Sequence, residues 1–225
     1  MSEEHASQQV AQGQLLAGGG DSRHQASHTS GQGGDLDLLD EIKSCETWCE
    51  VLDVVEDEAQ RMSLFSAAQA ATRIVAILRK GGQSSRNQAL PQISARAGFA
   101  TLTSLLFNGI SSMSRAQVAN SVTALASLQV PFTEAHAAAY AARIRQLAPE
   151  LNARDVVQLL HGFSIAPSGS VMPRVSTLDR LGYRATQLLG AGQVEPQVCG
   201  VWGWWWNTTC REQHSVRWGT QGKSG

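Results

Sequence analysis

Along residues 36–200 apolar side chains recur at three- and four-residue steps, the spacing of one buried helix face. The first run is Leu36, Leu38, Leu39, Ile42, Trp48, Val51, Leu52 and Val55. Beyond Met62 nearly every stretch keeps that period. Breaks fall at Gly81-Gly82, Pro91, Asn108-Gly109, Pro131, Pro149, Pro167–Gly169, Pro173 and Gly190–Gly192. No alternating β-branched stretch is long enough for a strand, so the pattern predicts an all-α fold. Residues 1–34 are mostly Gln, Gly, Ser and His with hardly any apolar spacing. Such a segment buries too little surface to offset its ordering entropy and is predicted to be a disordered low-complexity arm.

Three segments align without gaps: Met62–Ile77, Met113–Leu128 and Leu151–Ala166. The second and third start 38 residues apart, and the first and second 51 apart, the excess lying in a polar stretch read as a loop over Gly81–Gln92. Each segment opens on an apolar residue followed by Ser or Asn, the chemistry of a helix N-cap. The sixth, tenth and thirteenth places are Ala67, Ala71, Ile74; Val118, Val122, Leu125; and Val156, Leu160, Phe163, one apolar stripe per segment. Second helices are predicted at Gly98–Phe107, Ala135–Leu147 and Ser176–Leu189. Two helices per ~38 residues predict an α-solenoid over residues 35–200, whose repeats bury their faces by stacking.

The polar places carry the candidate chemistry. The eighth is an amide each time (Gln69, Asn120, Gln158), and the eleventh is Thr72, Thr123 and His161. Three residues apart, the two places share a helix face away from the apolar stripe. Outward amides at a repeating place suit base reading, because Asn and Gln match donor–acceptor pairs on base edges. The plainer alternative is that these amides bridge neighbouring repeats or face water.

Charge adds a partner to that picture. The formal net charge of −1 divides into −10 over residues 1–61, +7 over 62–200 and +2 over the rest. Eleven of the twelve bases in 62–200 are Arg, with Lys80 the exception. Guanidinium pairs bidentately with phosphate and stacks on bases, so Arg73, Arg115, Arg143, Arg145 and Arg154 are candidate phosphate contacts. An RNA reader should gather them on the surface that shows the amides; a protein scaffold should scatter them.

The run Glu46–Glu58 followed by Ala67–Lys80 resembles an opening octotricopeptide-type repeat. Met113–Ala126 and Leu151–Leu160 resemble the recurring core of that repeat, with its acid or amide, apolar residue, Ala and Asn. Such repeats occur in green-algal organelle RNA proteins and in the leucine-rich region of the FAST-kinase proteins. The resemblance covers residues 36–200. It implies a helical-repeat protein that binds single-stranded organellar transcripts in a chloroplast or mitochondrion, with other proteins of an RNA-processing complex as further partners. The aromatic residue usual after the core Asn is replaced by Thr123 and His161. No nuclease-like C-terminal domain follows, so the resemblance implies no RNA cleavage and suggests a fragment. Residues 201–225, with Trp204-Trp205-Trp206 in a Gly-rich context, fit no helix face and read as an irregular tail foreign to the repeat.

Other classes fare worse. The chain has 225 residues, 42% hydrophobic and 16% charged, enough for one domain or one and a half. No apolar run approaches the ~18–20 residues that span a bilayer, so no membrane partner is expected. Four Cys make no disulfide scaffold, and neither a signal peptide nor a transit peptide is visible, so a native N-terminus implies the cytoplasm. Cys45 and Cys49, four apart, read as thiols on one helix face rather than half a metal site. The acidic group Asp53, Glu56, Asp57 and Glu58 reads as a solvated helix end. No phosphate-binding Gly loop, kinase motif or nucleophile with a local partner is present. The expectation is no enzyme, no cofactor, no metal and no small-molecule substrate. Beside RNA binding, a protein-interaction solenoid without RNA remains the second reading.

Overall fold

The computed structural model describes residues 30–192. Over these the chain forms α1 (Ser30–Ser44), α2 (Trp48–Asp57), α3 (Leu64–Lys80), α4 (Gly82–Ser94), α5 (Ala97–Asn108), α6 (Arg115–Ser127), α7 (Glu134–Leu147), α8 (Ala153–Ser164) and α9 (Val175–Gly190). A 3-10 turn occupies Ile110–Ser112, and no strand occurs among the described residues. The fold there is all-α.

The aligned segments begin as their sequences dictate. Ser63, Ser114 and Asn152 are the N-caps of α3, α6 and α8, each accepting from the N–H three residues on. Gln117 and Asp155 return a bond to the cap backbone and complete capping boxes on α6 and α8. All nine residues of the predicted apolar stripes are buried. The predicted second helices coincide with α5, α7 and α9 to within a residue at each end.

Helices α1, α3, α6 and α8 pack side by side in one row. A second row runs from α2 to α5, through the 3-10 turn to α7, and on to α9. Contacts α2–α3, α3–α5, α6–α7 and α8–α9 join the rows, with the apolar stripes between them. The most extensive contact joins α6 and α8, and Gly162 permits it: a Cβ there would lie 2.8 Å from Val122 Cγ1 and 3.0 Å from the Thr123 Cα. Phe132, between α6 and α7, meets Phe107, Tyr140 and Phe163 edge-on at 5.8–6.4 Å between ring centroids. The buried Tyr140 hydroxyl donates to Ser121 Oγ at 3.1 Å.

One bond recurs between the rows. Arg143 of α7 donates from Nε to the Met113 carbonyl at 2.7 Å and from Nη1 to Gln146 at 3.0 Å. Arg184 of α9 donates from Nε to the Leu151 carbonyl at 2.9 Å and from Nη1 to Gln187 at 3.3 Å. Met113 and Leu151 are the first residues of the second and third aligned segments, immediately before the N-caps.

The structure corrects four local expectations. The stretch read as a polar loop over Gly81–Gln92 lies, apart from Gly81, in α4, which has Pro91 inside its last turns. Only Ala89 and Ile93 of that helix are buried, so no apolar period announces it, and Arg86 docks it by donating to the Ser127 carbonyl at 2.6 Å. Pro91 removes one helical N–H near the end of α4, where the interruption is tolerated. Helix α1 starts at Ser30 and runs through Gly31–Gly34, because propagation adds a hydrogen bond per residue once the turn exists. Disorder expected over residues 1–29, and the irregular tail at 201–225, lie outside the described residues, as do positions 193–200. Cys45 sits in the linker after α1 and Cys49 in α2, so the two do not share one helix.

The acidic group also differs from a purely solvated helix end. Asp53 and Glu56 reach Arg96, and Glu56 Oε1 accepts from the Gly98 N–H at 2.8 Å, capping α5 from α2. Arg96, the residue at the cap position, supplies no side-chain acceptor of its own.

Candidate nucleic-acid interface

Opposite their buried stripes, α3, α6 and α8 present the eighth and eleventh places of the aligned segments. Gln69, Asn120 and Gln158 are half-buried, one on each neighbouring helix of the row. No hydrogen bond ties their side-chain amides among the described residues, and no buried polar side-chain atom is left unpartnered. Their donors and acceptors therefore reach solvent. Thr72 is exposed, its hydroxyl donating to the Ala68 carbonyl at 2.8 Å. Thr123 is engaged between helices, bonded to the carbonyls of Ala119 at 2.9 Å and Gln158 at 2.8 Å. Its place in the pattern is the same, but its hydroxyl ties α6 to α8.

His161 lies two turns along α8 from Arg154 and one turn from Gln158, so these three share a face. Burial pushes the imidazole below its ordinary range, and the neighbouring Arg79 adds to the effect. Beside it opens a cavity of about 570 Å³ between α4 and the last turns of α3, α6 and α8. Arg79, Arg86, Gln129, His161, Leu90 and Ile165 are among its walls, and no acidic side chain lines it.

The five arginines expected at phosphates do not gather on this face. Arg73 donates from Nε to the Cys45 carbonyl at 3.0 Å, fixing the α1–α2 linker. Arg115 pairs at 2.7 Å with the buried Asp155 across the α6–α8 contact. Arg143 holds the Met113 carbonyl, and Arg145 donates to Ala141 in the other row, beside a second cavity of about 330 Å³ under Val171–Thr177. Arg154 alone of the five is exposed beside the amides. Two arginines outside that set, Arg79 and Arg86, line the cavity beside His161.

Arg86 was missed because its segment carries no apolar period, and Arg79 because it lies beyond the aligned places. A signal for the structural arginines did exist: Arg-x-x-Gln occurs at Arg143–Gln146 and again at Arg184–Gln187. Among the described residues no cluster of three His, Cys, Asp or Glu is placed to hold a metal ion. No helix of the described residues is long and apolar enough to cross a membrane.

No protein-family model matches the chain, and neither a curated protein nor a solved structure proves similar to it.

Proposed function

We propose that the chain is an α-solenoid of about 38-residue, two-helix repeats that binds single-stranded RNA along the outward face of α3, α6 and α8. The observation that carries this reading is the recurrence of an open amide at one place on three adjacent helices: Gln69, Asn120 and Gln158. Unstacked bases expose the edges such amides match, so single strands are preferred over duplex. The repeated bond from Arg143 and Arg184 to the segment-opening carbonyls supports the repeat register. A role in organellar RNA processing, stability or translation rests on the octotricopeptide resemblance. Fluorescence anisotropy with short labelled RNAs over a salt series tests the reading. With Arg79, Arg86 and Arg154 at phosphates, the log–log salt slope is expected near −2, at ~0.7 per contact. A folded protein that binds no single strand at low salt overturns it.

A second reading, a protein-interaction solenoid, has one observation in its favour: Arg73, Arg115 and Arg143 are engaged inside the fold. It predicts that the folded protein binds no single-stranded RNA even at low salt.

A further inference from the structure

We propose that the cavity between α4 and the ends of α3, α6 and α8 is a phosphate site for a nucleotide phosphomonoester, with the attached base against Leu90 and Ile165. The proposal rests on the RNA reading for its source, a terminal nucleotide of the bound strand, while the chemistry would be the same for a free mononucleotide.

Three features converge there. Arg79 and Arg86 come from different helices to one concave surface with no acid in it, so the site is electropositive without internal neutralisation. Arg86 uses Nη2 on the Ser127 carbonyl, which leaves Nε and Nη1 for a ligand, and Arg79 forms no ion pair or hydrogen bond among the described residues. A phosphomonoester carries about −1.5 to −2 at pH 7 against −1 for an internal phosphodiester, which matches two guanidiniums. The volume of about 570 Å³ falls within the roughly 300–1,000 Å³ of small-molecule sites.

The rim is built at a conformational cost. Gln129 stands at φ 60, the only non-glycine at positive φ among the described residues. It occupies the position after the α6 cap where glycine is usual, with Val130 N–H on the Leu125 carbonyl at 3.0 Å and Gln129 N–H on Ala126 at 3.1 Å. An amide is thereby placed on the wall of an electropositive cavity. His161 completes the site: burial, and then the nearby Arg79, hold its imidazole below the ordinary value, and a bound dianion would raise it.

The test follows the His161 imidazole by NMR in the full chain while adenosine monophosphate, a 5′-phosphorylated tetranucleotide and its 5′-hydroxyl counterpart are added in turn. The expected result is a rise in the His161 pKa with the first two ligands and a smaller one with the third. Arg79→Gln, at a side chain the fold does not use, should weaken both phosphorylated ligands about tenfold or more at an unchanged melting temperature. Binding of the mononucleotide with no binding of either oligonucleotide supports the site and removes the RNA reading. Equal binding of both oligonucleotides, with His161 unmoved, overturns the site and leaves the RNA reading standing. No response of His161 to either phosphorylated ligand overturns the site.

Discussion

Arg143 holds the main-chain carbonyl of Met113 at 2.7 Å, one residue before the cap that starts α6. The same contact joins Arg184 to Leu151 one segment later, at 2.9 Å. An Nε–H donor on a carbonyl just ahead of an N-cap fixes where the chain enters the helix, and it does so from the opposite row. One guanidinium thus links α7 to the start of α6, and another α9 to the start of α8, beside the apolar packing. Hydrogen bonds from charged groups contribute ~1.5–3 kcal/mol, so Arg143→Ala and Arg184→Ala should each destabilise by about 1–3 kcal/mol. Arg143→Lys should rescue little, since a single ammonium cannot bond the Met113 carbonyl and Gln146 in the same fork. Urea midpoints of the three variants check this; wild-type midpoints in all three would remove the arginine from the frame.

Leu125 and Phe163 occupy the thirteenth place of their segments and are both buried, on helices that touch. Leu125→Ala should cost about 2–5 kcal/mol and Phe163→Ala about 3–5 kcal/mol, as cavity-forming truncations do. The Phe163 ring lies 6.3 Å from that of Phe132, so its loss also removes an edge-on aromatic contact. A double variant that loses less than the sum of the singles would show that the two truncations open one shared cavity. Equilibrium unfolding of the singles and the double measures the coupling.

What the sequence revealed of this fold was its locally encoded part. Ser63, Ser114 and Asn152 cap α3, α6 and α8 through bonds three residues long, and the stripes ending in Ile74, Leu125 and Phe163 need only helical period. Helix α4 was not legible, because it is held by Arg86 on a carbonyl 41 residues away rather than by an apolar face of its own. The candidate site was legible in its amides and not in its charges. An arginine reads the same in sequence whether it reaches solvent, as Arg154 does, or a backbone carbonyl on another helix, as Arg73 does. The engagement of Thr123 is hidden from sequence in the same way: its face of α6 is partly covered by α8, where Gly162 lets the backbones approach.

Gln129→Gly should stabilise the protein slightly while impairing the cavity. A left-handed residue with a Cβ costs roughly 1–2 kcal/mol, and glycine's extra freedom in the unfolded chain takes back about 0.5–1 kcal/mol. The expected net gain is ~0.5 kcal/mol, read as a small rise in urea midpoint. A drop instead would show that the side-chain bond to the Ala126 carbonyl, 3.2 Å from Nε2, outweighs the backbone conformation.

Acidification should weaken the fold before any carboxylate protonates. Burial holds His136, stacked on Phe107 at 3.6 Å, and His161 below the ordinary imidazole value of 6.5. With folded values depressed, the unfolded chain takes up the protons first. Stability is therefore full above about 6.5 and falls as pH drops from there through the folded values. Glu50 is held below 4.5 by the Glu46 N–H, then by the Thr47 side chain and N–H, so its loss belongs to a lower window. Urea midpoints at pH 7.5 and 5.5 should differ, and His136→Gln with His161→Gln should remove most of the difference.

Some arginines stand on the face of the amides and others serve inside the fold, and salt dependence should separate the two kinds. Arg154→Ala and Arg79→Ala remove exposed charges on the outward face. Each should make the log–log salt slope of RNA binding shallower by ~0.7 and weaken all sequences alike, with little change in melting temperature. Arg73→Ala and Arg143→Ala should do the reverse, lowering the melting temperature while leaving the slope unchanged, because their guanidiniums serve the carbonyls of Cys45 and Met113. Gln69→Ala, Asn120→Ala and Gln158→Ala form a third class. They should alter which sequence is preferred more than they alter either slope or stability, since base-edge contacts release no counterions. Three open amides at about one base each give a footprint of roughly three nucleotides, so the preference should be visible on tetranucleotides. A slope that responds to Arg73 and not to Arg154 would place the RNA on another surface of the fold.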